Sequence, residues 1–390
     1  MKKIVGLFLA LFTLFSIYST SFAEDNKDYY EARDSIDAYI DDQLNKINIS
    51  DIEEYLKEDV AIKDIDLKVF LKKLISGEES LLSLFDKQKI QSTIFSELKS
   101  SLRVIGVILV LALLSSILKS LENSFSSGNI SKITNYIIFI TMVSFALVGF
   151  KDVLNICYET IDNIISIMKL IMPILTTFLV LTGFSITSTI LNPVFLGGVT
   201  AINIIFKKFI FTSLTLAFSV LIVNNLSKSI KLKKLSSFIK NVNMVTVGAV
   251  FTIYLGIVSV QGMYVNSLDK FSVKTAKFAL GNFIPVVGGF VSDSVDILIS
   301  SSQLIKNVFG GIGLIILVGI CIIPIIKVLS VIVVHKIAAI VVEPVGEDNM
   351  SIFLNDVANL MMIMMACLIA VMIMFFVTVS IITSISVVGG

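Results

Sequence analysis

The sequence predicts an all-α, polytopic helical membrane protein with about 7–8 membrane segments and a small helical extracytoplasmic domain at its N-terminus. Three observations carry that prediction. Of 390 residues, 55% are hydrophobic and only 16% are charged, against about 25% charged in a typical soluble domain. The near-neutral net charge of +1 is a sum of opposed parts. Residues 24–100 hold 19 acidic and 11 basic residues, a net of −8, and 101–390 hold 11 acidic and 18 basic, a net of +7, with Lys2 and Lys3 completing the total. Finally, apolar runs near the ~20 residues that a helix needs to cross a bilayer recur through 101–390. A polar acidic segment is fused to a basic apolar one, which argues against a soluble enzyme.

Residues 1–23 read as a secretory signal peptide. Lys2 and Lys3 supply the basic start, 4–17 the short apolar core, and Ser21-Phe22-Ala23 a small-x-small cleavage site ahead of Glu24-Asp25. An uncleaved signal anchor is the alternative, and both place residue 24 outside the cytoplasm. Residues 24–100 read as an exported polar helical domain. Ile36, Ile40, Leu44 and Ile47 recur at helical spacing, as do Tyr55, Leu56, Val60, Val69, Phe70 and Leu74, then Ile90, Ile94 and Leu98. Such stripes need a surface to cover, so the domain is either a solvated helical face or a protein docking surface.

Residues 101–390 form the membrane domain. Apolar runs fall at 102–118, 133–150, 242–260, 308–334 and 352–382. Three less regular runs fall at 164–181 with Lys169 and Pro173, at 184–206 with Asn192-Pro193, and at 209–226 ending in Asn224-Asn225. A re-entrant segment at 283–290 is a further candidate. The stretch 227–240 carries five lysines and no acid, which marks a cytoplasmic loop. Five crossings from an external residue 24 put this loop inside. They also put 119–132 inside, 151–162 outside, 261–307 outside, 335–349 inside and the C-terminus outside. Lys270, Lys274 and Lys277 then lie outside, against the positive-inside trend.

The broken segments hold the candidate functional residues, because lipid cannot satisfy backbone groups that Pro and Gly set free. The clearest is Gly281-Asn282-Phe283-Ile284-Pro285-Val286-Val287-Gly288-Gly289, followed by Ser292-Asp293-Ser294-Val295-Asp296. Asp293 and Asp296 fall near the start of an amphipathic helix. They either cap it at a membrane surface or line a polar path with the broken motif. Gly310, Gly311 and Gly313 permit close helix contact and lack the lysine of a phosphate-binding loop. Lys169 and Lys327 interrupt apolar runs, as intramembrane charges or as side chains that snorkel. His335, beside Lys336, reads as interfacial, and Met361, Met362, Met364 and Met365 as apolar filler. Cys157, Cys321 and Cys367 have no CxxC spacing, so neither a zinc site nor a disulfide framework is expected. A weak internal repeat pairs Ile171-Met172-Pro173 with Phe283-Ile284-Pro285, and Phe195-Leu196-Gly197-Gly198 with Phe309-Gly310-Gly311. Chance similarity is the alternative.

With this layout and the motif around Pro285, the chain resembles the stage III sporulation protein AE family of endospore-forming bacteria. The Gly310–Gly313 cluster and Val342-Glu343-Pro344 also fit the family. The resemblance implies a non-enzymatic membrane component of a sporulation channel, or secretion-like complex, linking mother cell and forespore and required for late forespore gene expression. It implies a place in the mother-cell membrane around the forespore. The implied partners are other stage III A proteins (ring proteins and a secretion-type ATPase) and a forespore membrane protein. No catalytic, cofactor or metal residues are implied, and nothing suggests nucleic acid binding. A secondary permease for a small solute, built on the broken segments, is the competing expectation.

Overall fold

The computed structural model describes residues 128–226, 232–283, 288–345 and 348–386, with the helical stretch 88–96 and scattered positions between 69 and 117. For 128–136, 138, 262–268, 270, 276–283, 288–298, 345 and 348 it describes the backbone alone. All described residues belong to one compact unit, Asn48–Gly390. The signal peptide and most of the 24–100 domain lie outside the described residues, as do most of 102–118 and Pro285 itself.

Six long helices build the described molecule. α1 spans Gly128–Leu181, α2 Ser185–Ala201, α3 Thr212–Leu226, α4 Lys233–Phe283, α5 Gly288–Val342 and α6 Asp348–Ser384. A π-helical segment, Ile202–Phe211, joins α2 to α3, so 185–226 is one continuous rod. Five of the resulting helices are long and apolar enough to cross a membrane, in 139–181, 185–226, 233–261, 299–342 and 349–384.

This corrects the segment count in two places. The runs at 133–150 and 164–181 are one helix, so 151–162 is not an external loop. The apolar stripe explains why. Met142, Ala146, Phe150, Val153, Cys157, Ile161, Ile164 and Met168 keep helical spacing straight through the charged stretch, and every one is buried. Lys151, Asp152 and Asp162 occupy the exposed face between them. The runs at 184–206 and 209–226 likewise merge. Lys207 and Lys208 do not end the helix, because the π segment carries them in its wider turns.

Local chemistry closes the turns. After α1, Gly183 takes a left-handed φ of 90°. Phe184 N–H donates to Leu179 and Gly183 N–H to Val180, both at 2.9 Å, which satisfies two of the helix's last carbonyls. Pro173 interrupts the ladder inside α1, and the Thr176 and Thr177 hydroxyls donate to carbonyls at 172 and 173 on the same turn. Before α4, Leu232 N–H donates to Asn224 Oδ1 at 2.8 Å, closing the connection around the lysine loop.

α6 is the central helix, with 83% of its most apolar window buried, against 22% for α4 at the edge. α5 packs antiparallel on α6: Ser351 donates to the Ala339 carbonyl, Lys336 to Asn355 and Asn359, and Lys306 to the Ile385 carbonyl. α1 runs antiparallel to α5, with Gly149 against His335 and Gly313 against Ile171. α3 faces α4 in reverse, through Ser213 and Asn243 at 2.7 Å, and Tyr254 on α4 donates to or accepts from Thr378 on α6 at 2.8 Å. The Met cluster fills the core: Met361, Met364 and Met365 are buried.

Candidate functional site: a charge-free layer and an arm

The interhelical contacts put five helices in register, and charged residues then fall at common heights. Asp269 on α4 meets Ile186 and Thr187 on α2, while Lys306 on α5 meets Ile385 beyond α6. These mark one end, here the arm end. Lower down, Lys207 pairs with Asp162 on α1 at 2.5 Å. The register set by Gly313–Ile171 and Gly149–His335 brings Lys327 opposite Cys157, at nearly the same height. Between these heights, 185–206, 241–268, 307–326 and 357–384 contain no Asp, Glu, Lys or Arg, and α1 contributes only Lys169. The shortest of these, 307–326, is ~30 Å long at 1.5 Å per residue, which matches the hydrocarbon thickness of a bilayer.

Below that layer lies the lysine end. Lys240 of α4 and Lys336 of α5 stand near Asp356 of α6, and Lys336 bonds Asn355 at 2.6 Å and Asn359 at 2.7 Å. Lys233 and Lys234 open α4 here, next to the lysine loop. The helices of 43, 42 and 44 residues are roughly twice the length of a single crossing. Their lysine-end halves extend past Lys207 and Lys327 and include the further uncharged runs 133–150 and 209–226.

At the other end, α4 and α5 outrun their neighbours. Val273 lies against Gly183 in the α1–α2 turn, yet α4 continues ten residues further, to Phe283, or ~15 Å. α5 begins at Gly288 and returns alongside. The end of α4 beyond the α1–α2 turn, with the start of α5, is here called the arm, and the described residues of the Gly281–Gly289 motif belong to it. Gly281 and Asn282 end α4, Pro285 lies in the four residues outside the description, Gly288 and Gly289 open α5, and Asp293 and Asp296 fall in its first turns. The centre of the expected re-entrant segment, 284–287, lies outside the described residues, and its flanks belong to the end of α4 and the start of α5. Phe271 near the arm's base is 74% exposed.

The remaining candidates separate by position. Gly310 faces Thr383 of α6 so closely that any side chain would collide with it, and Gly313 sits 3.2 Å from Ile171 at an added Cβ. Both are helix-crossing points. Gly311 lies buried between them. Lys169 is on the exposed side of α1, and Lys327 is half-buried. His335 is buried at a helix crossing, with Nδ1 2.9 Å from the Val331 carbonyl. Of the proposed repeat, Pro173 lies inside a continuous helix, and Pro285 lies outside the described residues.

Several positions escaped sequence reading. Asp269 is 2% exposed and accepts from Ile186 N–H at 3.1 Å, Thr187 N–H at 2.8 Å and Thr187 Oγ1 at 2.6 Å. A carboxylate from a distant helix thus caps α2, whose own leading residue Phe184 supplies no side-chain cap. Tyr158 donates to the Lys207 carbonyl at 2.8 Å, and its ring lies 5.3 Å below the Lys207 ammonium. Lys306 is fully buried. The only signals were an Asp and a Lys at the edges of apolar runs and an aromatic in a charged stretch. None has a local pattern, because each partner is remote in sequence.

The model for the stage III sporulation protein AE family matches residues 65–386, which is most of the chain. The chain belongs to that family. It is 29% identical over 310 residues to the stage III sporulation protein AE of Bacillus subtilis (strain 168), covering 80% of this chain and 76% of that one. No solved structure matches it. Membership carries a role connected with sporulation, and the apolar helices fit a multi-pass membrane protein. The family match runs through both the charge-free layer and the arm.

Proposed function

We propose that this protein is a non-enzymatic, multi-pass component of a sporulation channel complex linking mother cell and forespore, required for late forespore gene expression. The observation that carries the reading is the family match over 65–386. On this reading the charge-free layer lies in the mother-cell membrane surrounding the forespore. The lysine end faces the mother-cell cytoplasm, following the positive-inside bias of 227–240. The arm and residues 24–100 face the intermembrane space. Merging two pairs of runs removes two crossings and leaves three before the lysine loop, so the odd count from an external residue 24 is kept.

The exported 24–100 domain and the arm then offer surfaces to other stage III A proteins, ring components among them, and to a forespore membrane partner. The secretion-type ATPase of the same complex approaches from the lysine end. A scaffold agrees with the interior of the layer, which α6 fills with Leu, Met, Val and Phe side chains. A clean deletion tests the proposal: engulfment completes, late forespore reporters stay silent and heat-resistant spores are absent. Normal spore yield from the deletion strain contradicts it.

A further inference from the structure

Lys169 lies inside the charge-free layer without a partner. The contact of Gly313 with Ile171 puts it opposite Ile315, near the middle of 307–326. Asn307 marks the nearer end of that run, ~12 Å away at 1.5 Å per residue, and a lysine side chain cannot snorkel that far. The side chain is exposed on α1 and makes no hydrogen bond or ion pair among the described residues. The closest carboxylate on the same face, Asp162, lies ~10 Å below and pairs with Lys207. Pro173, one turn above, adds a second unsatisfied group. It stands inside the helix and has no N–H to offer the Lys169 carbonyl. The Thr176 and Thr177 hydroxyls donate to the Met172 and Pro173 carbonyls instead. Lys169, Pro173, Thr177 and Val180 form one exposed stripe. Lipid satisfies neither an ammonium nor a carbonyl that has lost its helical donor.

We propose that this stripe is the docking surface for a membrane-spanning helix of another protein, one that carries an Asp or Glu near its middle. The charge balance of the layer selects that partner. No Asp or Glu falls in 163–206, 241–268, 307–326 or 357–384, so a second copy of this chain brings only another lysine. The apolar run at 102–118 holds Arg103 and no acid, so it does not neutralise Lys169 either. A carboxylate from a different protein supplies the missing charge. Its pairing with the ammonium, away from water, fixes the depth at which the partner helix docks. The inference rests on the layer lying in a bilayer, whichever membrane that is, and is independent of the sporulation reading.

Defined probes test it on the purified full-length protein in liposomes. Two single-span peptides of Leu and Ala carry either Glu or Leu at the central position, and energy transfer from the labelled protein reads their association. The Glu peptide associates at least about threefold more tightly than the Leu peptide. Lys169→Gln abolishes that preference, and Lys169→Arg keeps it. No described residue bonds Lys169, so Lys169→Gln folds as the parent does. Equal association of the two peptides overturns the proposal, as does a preference that survives Lys169→Gln. Cysteine labelling checks the bilayer placement separately. In a protein without its native cysteines, Lys169→Cys resists a water-soluble maleimide that modifies Lys274→Cys, at an exposed position. Equal rates at the two positions put water at Lys169 and overturn the placement and the docking surface together.

Discussion

Asp269 acts on a helix that begins more than 80 positions before it, accepting three hydrogen bonds at the start of α2. Removing it leaves two backbone N–H groups and one hydroxyl without their acceptor in a buried place. Asp269→Ala is therefore expected to cost about 1–3 kcal/mol, and Asp269→Asn less, since one amide oxygen still accepts. The three cysteines are all buried and free, so a thiol-reactive dye reports unfolding directly, and the loss reads as a lower Tm in detergent. Gly310 gives the opposite kind of test. Its place is set by the approach of Thr383, and overpacking a tight crossing costs about 1–3 kcal/mol. Gly310→Val is expected to lower Tm in the same assay by at least as much as Asp269→Asn. Glycine clustering in an apolar run made close packing at Gly310 and Gly313 legible in the sequence. Nothing local announced Asp269, because its role exists only once α4 lies beside α2.

At the scale of elements, α1 carries the lesson about charges in helices. Averaged hydropathy falls across 151–162, and a loop is the natural conclusion. The buried stripe through Val153, Cys157 and Ile161 keeps its period there, and period outweighs average when one helix face is fully packed. The π segment is the matching case. Its widened turn leaves the Lys207 carbonyl to accept from Tyr158 at 2.8 Å, and the Lys207 side chain reaches Asp162. The two contacts differ in worth. Asp162 is 55% exposed, and exposed ion pairs contribute about 0–1 kcal/mol, so Asp162→Asn is expected to leave Tm nearly unchanged. Tyr158→Phe removes a partly buried bond to a helix carbonyl and is expected to cost about 0.5–1.5 kcal/mol. Thermal unfolding of the two variants side by side checks the order. The all-helical character was legible because composition is local. The stretch 227–240, read as a loop from its lysines, instead has 233–240 in the first turns of α4, since a lysine-rich sequence without Pro or Gly does not stop a helix. The two merged rods were not legible, since their continuity depends on which face each helix buries.

Across the whole molecule, the segment count and the orientation separate cleanly. On the proposed topology, joining four runs into two rods changes how many helices cross and keeps the odd count before 227–240. A charge-free layer of ~30 Å runs through five of the described helices, with the lysines of 228–240 toward one end and the arm with Lys270, Lys274 and Lys277 at the other. A single crossing by α1 puts its charged stretch at the lysine end. The earlier loop expectation puts Lys151 on the opposite side of the membrane from Lys234, and the single-crossing account puts them on the same side. Single cysteines at Lys151, Lys234 and Lys274, all exposed, introduced into a protein without its native cysteines, decide between them. Intact cells are treated with a membrane-impermeant maleimide before and after permeabilisation. The account predicts that Lys274→Cys is labelled in intact cells, and that Lys151→Cys and Lys234→Cys are labelled only after permeabilisation. Labelling of Lys151→Cys from outside, with Lys234→Cys protected, would contradict it.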